Sequence, residues 1–96
     1  MRLDKYLKTA RILKRRTVSK ELADQERVYV NGKIAKPSTD VKIGDTIKVI
    51  FGYRELTVRV TMIQKQANKN DASLMFAVIE EKLIKKEEGK DILAEQ

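Results

Sequence analysis

The sequence predicts an α+β fold: two or three short N-terminal helices packed on a small, mostly antiparallel, twisted sheet. Three observations carry that prediction. Leu3, Tyr6, Leu7 and Ala10 recur at helical spacing. Val28-Tyr29-Val30 runs into Asn31-Gly32, a strong short hairpin signal, because a type I′ turn needs positive φ at both central residues. Glu55 to Val60 alternates apolar and polar residues, as a half-buried antiparallel strand does.

The first helix is expected from about Leu3 to Thr9, apolar on one side and cationic on the other. Asp4 falls in its first turn, where the helix dipole favours an anion, and lies four residues before Lys8. Dipole stabilisation or a pair with Lys8 explains Asp4 better than catalysis does. Ile12 and Leu13 are candidate core anchors. The second helix is expected from about Val18 to Gln25, with Thr17 as its N-cap. Val18, Leu22 and Ala23 are assigned to its inner face; Lys20 and Asp24 face out and are spaced to pair.

Lys33-Ile34-Ala35 is the expected return strand, ended by Pro37. Asp40 to Asp45 reads as a turn with Gly44-Asp45 at its tip. A strand from Thr46 to Ile50 places Ile47 and Val49 on one face. The strand beginning at Glu55 is expected to continue weakly through Met62-Ile63. Lys65 to Ser73 is polar without periodicity and reads as a loop, and Leu74 to Ile79 as the last strand. Residues 80–96 mix charges with isolated apolar residues, which fits a charged tail with a short helix or none. The expected organisation is a core at 1–50, strands completing the sheet at 51–79, and the tail.

The charge is uneven. Between Arg2 and Lys36 there are eleven Lys or Arg residues against four Asp or Glu, while the remainder balances, so the whole +7 sits in the first third. A one-sided basic excess on a small folded segment points to a polyanion. The chain has no cysteine and no histidine. That removes the disulfide and thiolate-metal options, the commonest metal ligand and the commonest neutral-pH acid/base. The four glycines stand singly, not in a phosphate-binding loop. The expectation is a non-enzyme without metal or cofactor. No apolar run approaches the ~20 residues of a membrane span, and no signal-peptide pattern opens the chain. Cytoplasmic location, no membrane and a monomer are expected.

The candidate binding residues are Arg2, Lys5, Lys8, Arg11, Lys14, Arg15, Arg16 and Lys20 on the helical segment, with Lys33 and Lys36 from the hairpin. Side-by-side helices would gather them into one concave patch. Lysine offers phosphate a point charge and arginine a planar, bidentate fork. The second helix is short and carries Glu21 and Asp24, which suits shape-and-backbone recognition of RNA better than base reading in DNA. A DNA-binding regulator stays open as an alternative. Tyr6 is spaced for the core. Tyr29 points opposite to Val28 and Val30 and is an open candidate for base stacking.

Arg2-Leu-Asp-Lys-Tyr-Leu7, Ala10-Arg11, Arg16, Val28-Tyr-Val-Asn-Gly32, Lys36-Pro37-Ser38 and Val41-x-x-Gly44-Asp45 resemble the RNA-binding domain named after small-subunit ribosomal protein S-four. The resemblance covers about Met1 to Ile50. In stand-alone form it is similar to the 15-kDa heat-shock protein family and to the shorter RqcP family of ribosome-associated quality-control factors. The long basic C-terminal extension of the heat-shock family is missing, which favours the shorter family. The resemblance implies binding to large-subunit rRNA and peptidyl-tRNA on stalled subunits, in support of C-terminal alanine tailing by an RqcH-type factor. By motif position it implies Arg2 and Arg16 as leading RNA contacts, then Arg11, Lys14 and Arg15. A detached module recruiting an RNA-modifying enzyme is the competing reading.

Overall fold

A computed structural model describes residues 1–83 of the chain. The chain order is α1 (Leu3–Thr9), α2 (Arg16–Asp24), β1 (Val28–Val30), β2 (Lys33–Ile34), β3 (Thr46–Phe51), β4 (Arg54–Val60), α3 (Lys69–Ser73) and β5 (Phe76–Leu83). The five strands form one antiparallel sheet in the order β2-β1-β3-β4-β5. The α+β class holds. The third helix, however, comes late in the chain, between β4 and β5.

Helix α1 spans the predicted residues, and its apolar stripe is buried: Leu3, Tyr6, Leu7 and Ala10 all join the core. They meet the inner row of the sheet, where Val28 pairs Val49, Ile47 pairs Val58, and Val60 closes the row. Each fully buried Leu, Ile or Val among them contributes roughly 1.5–3 kcal/mol over its exposed state. The N-terminus is stitched to the segment after β2. Leu3 N–H donates to the Thr39 carbonyl at 2.8 Å and Val41 N–H to the Met1 carbonyl at 2.8 Å. The terminal ammonium bonds Asp40 at 2.9 Å. That bond and the ammonium's charge, with Lys42 assisting, hold the Asp40 carboxyl below its ordinary pKa.

Helix α2 departs from expectation in two ways. It starts at Arg16, with an extended Arg15 as N-cap and no side-chain cap bond, so Thr17 lies inside the first turn. Leu22 and Ala23 face the core as expected, but Ser19 is buried beside them and Val18 is 37% exposed. The space beside α1 admits small side chains, and packing overrides the apolar preference of Val18.

The hairpin forms as predicted, with Val30 opposite Lys33 and positive φ at Asn31 and Gly32 (54° and 82°). Asn31 also reaches forward: its Oδ1 accepts from Thr46 N–H at 3.0 Å, and its Nδ2 donates to Asp45 at 3.1 Å. Strand β4 stops at Val60, and Met62 and Ile63 do not extend it. Inside the expected 65–73 loop, Asn68 caps α3 by accepting from Asp71 N–H at 2.8 Å. Strand β5 runs on to Leu83, so the first four residues of the expected tail are strand. Residues 84–96, the rest of that tail, lie outside the described residues.

Candidate nucleic-acid interface

Two helix ends shape the basic surface. Helix α1 closes with Arg11 N–H donating to the Lys8 carbonyl at 3.0 Å and Ile12 N–H to the Leu7 carbonyl at 3.0 Å. This pair of bonds is a Schellman motif, which places Arg11 in the left-handed region at φ 59°. Helix α2 closes identically: Glu26 N–H donates to Ala23 at 3.0 Å, Arg27 N–H to Leu22 at 2.9 Å, and Glu26 has φ 62°. Glycine is the usual residue at such a position, because a Cβ there costs about 1–2 kcal/mol.

Six of the predicted cations line two grooves. The first groove, about 690 Å³, lies between the end of α1 and the segment before α3. Lys8, Arg11 and Lys14 line one side; Lys65, Gln66 and Ala67 line the other. The described lining residues include no carboxylate. The second groove, about 390 Å³, gathers Arg2, Lys20 and Lys36 together with Asp24 and Glu26. Lys5, Arg15 and Lys33 line neither of these two grooves. Lys5 is half-buried beside Asp4; Arg15 and Lys33 are exposed. Arg16 opens α2, directly after the extended Arg15.

Asp4 positions Arg2. The carboxylate is 2% exposed and the guanidinium 51% exposed. Arg2 Nε and Nη2 each donate to Asp4 at 3.2 Å, a forked pair, and Lys5 N–H donates to Asp4 Oδ1 at 2.7 Å. The acid thus lies in the first turn as expected, and Arg2 is among its partners. An arginine half in solvent and held by a buried acid presents a fixed fork to a phosphate.

Tyr6 is fully buried, as its spacing required. Its hydroxyl donates to the Met75 carbonyl at 2.7 Å, and burial raises its pKa. The same carbonyl accepts from Thr61 N–H at 2.9 Å and Met62 N–H at 3.2 Å. Tyr6 therefore ties α1 to the segment that carries Lys65. Tyr29 sits on the sheet face opposite the helices, with Lys48 Nζ 5.7 Å from its ring centroid.

Sequence reasoning missed Lys65. It lies in a polar stretch without periodicity, and only the fold brings it opposite Lys8 and Arg11. Among the described residues there is no cluster of three metal-ligating side chains, and no helix is long and apolar enough to cross a membrane.

Comparison with known proteins adds family to this geometry. The family model of the S4 domain matches residues 1–47. A Streptococcus pneumoniae protein named RQC P-site tRNA stabilizing factor is 51% identical over 84% of this chain and 92% of its own length. The chain belongs to the family of small S4-domain proteins that includes this factor. A Bacillus subtilis protein of the same name is 47% identical over 84% of this chain and 94% of its own length. Among solved structures, heat shock protein 15 of Vibrio cholerae superposes with a TM-score of 0.75 at 33% identity, covering 81% of this chain and 80% of that one.

Proposed function

We propose that this protein is a non-catalytic RNA-binding factor of ribosome quality control, one that stabilises P-site tRNA on stalled large subunits. The observation that carries the reading is the presentation of cations on a rigid surface. Arg2 is fixed by Asp4, and Arg11 is fixed by a helix-ending turn, so neither belongs to a loose charged arm. The name borne by the S. pneumoniae and B. subtilis relatives supports P-site tRNA as the target.

The mechanism is electrostatic clamping. Residues 1–50 form the RNA-binding core, and the strands of 51–79 hold its shape. The basic face bridges rRNA and peptidyl-tRNA phosphates, releasing counterions from both. Holding the tRNA in place keeps the stalled chain available to an RqcH-type factor for alanine tailing. The protein acts as a cytoplasmic monomer without cofactor. Arg2 and Arg16 lead the contacts, because they occupy the positions that the family motif gives to RNA-binding arginines.

Co-sedimentation with large subunits carrying peptidyl-tRNA tests this reading. The Arg2→Ala, Arg16→Ala double variant should lose about tenfold or more in retention at physiological salt, since two phosphate contacts are removed. Unchanged retention sinks the clamp. Tighter binding to duplex DNA than to structured RNA at matched salt sinks the RNA reading itself.

A further inference from the structure

We infer that the groove between the end of α1 and residues 65–67 is a second RNA-backbone site, distinct from the Arg2 groove and completed by Lys65 and Gln66. The inference rests on the RNA-binding reading above and assigns part of that contact to residues beyond the stretch matched by the family model, 1–47.

Four features carry it. First, Lys8, Arg11 and Lys14 stand every third residue around the helix-ending turn, and Lys65 faces them from the opposite wall. Their charges are uncompensated by any described acid in the lining, unlike those of the second groove. Second, Arg11 occupies a left-handed backbone position at φ 59° where glycine is the stable choice. A strained, charged residue at a concave site is a pointer to function. Third, the far wall is anchored. Ala67 packs on the core, and the Met75 carbonyl fixes the 61–62 backbone to Tyr6. Lys65 is thereby carried on a held segment. Fourth, the groove is open and has no aromatic side chain in its described lining, so it tracks phosphates and sugars without stacking bases. The Gln66 amide supplies both a donor and an acceptor for a 2′-hydroxyl.

The test is the salt dependence of binding to a short RNA hairpin of unrelated sequence. Lys65→Glu should weaken binding severalfold and lower the slope of log K against log salt by about 0.7–0.9, the share of one phosphate contact. The loss should add to that of Arg2→Ala, because the grooves are separate. Arg11→Gly gives the second arm: its melting temperature should rise by a few degrees as the left-handed strain is relieved, while its hairpin affinity falls.

Wild-type affinity and slope in Lys65→Glu, with Arg2→Ala still impaired, overturns the second site and leaves the functional reading standing. Arg11→Gly that gains stability and keeps full affinity overturns it too. A wild-type protein that binds no hairpin removes the functional reading, and the second site with it. Poly-glutamate bound as tightly as the hairpin reassigns the groove to an acidic polypeptide.

Discussion

The two grooves are built on the same backbone device and carry different electrostatics. Helices α1 and α2 both end in a Schellman turn with a charged, non-glycine residue in the left-handed region. At the first turn the residue is Arg11, which adds charge to a groove whose described lining is free of acid. At the second it is Glu26, which, with Asp24, opposes Arg2, Lys20 and Lys36. Both ends bear a similar backbone cost of about 1–2 kcal/mol. Only the first returns it as field. A basic count therefore overstates the second groove: its strength lies in the oriented Arg2 fork, whereas that of the first lies in unopposed charge.

The largest effect is expected from Asp4→Ala, which acts on the second groove. The variant removes a buried carboxylate that accepts from Arg2 and from Lys5 N–H. Charge-assisted bonds of this kind set a stability loss of about 2–3 kcal/mol, read as a shift in the denaturation midpoint. Freed of its orienting acid, Arg2 should lose most of its share of RNA binding. The Lys65→Glu effect should persist in the Asp4→Ala background. If it vanishes, the two grooves are one coupled site and the contrast fails.

Tyr6→Phe acts on the first groove. It deletes the hydroxyl that joins α1 to the Met75 carbonyl and leaves the ring in the core. About 1 kcal/mol of stability should be lost. Amide exchange at Thr61 and Met62 should quicken, because their shared acceptor loses its third partner. The contribution of Lys65 to RNA binding should shrink and that of Arg2 should not. Equal weakening of both contributions would show that Tyr6 supports the fold as a whole and not one wall.

How much of this was legible in sequence follows from where each signal lies. Helix α1 was readable because Leu3, Tyr6, Leu7 and Ala10 repeat the helical period within one element. The hairpin was readable because Asn31 and Gly32 meet a local backbone demand. In helix α2 the inward Leu22 and Ala23 were readable, whereas the buried Ser19 and the exposed Val18 were not, because a serine carries no apolar signal. Helix α3 was missed because five residues are too few for periodicity, although Asn68 and Asp71 form a capping pair. The list of cations was legible; their partition was not. Lys65 is more than fifty residues from Lys8 and Arg11, and nothing local marks it. The left-handed placement of Arg11 and Glu26 was likewise hidden, since neither is the glycine that announces such a turn.

The smallest effect separates the two turns most directly. Glu26→Gly should relieve the same strain as Arg11→Gly. Part of the gain is offset by the greater freedom glycine gives the unfolded chain, leaving about 0.5–1 kcal/mol, visible as a raised melting temperature. It also removes an acid from the Arg2 groove. At roughly 10 Å in water a unit charge is worth about 0.4 kcal/mol to a phosphate, and salt screens part of that. RNA affinity should rise about twofold, and the gain should fade at high salt. Stability and affinity thus rise together in Glu26→Gly, whereas in Arg11→Gly they part. A backbone explanation alone predicts the same outcome for both variants, because the two turns share their geometry. Opposite affinity changes on matched stability gains would assign the difference to charge; parallel changes would mean that the grooves do not differ in the way their linings indicate.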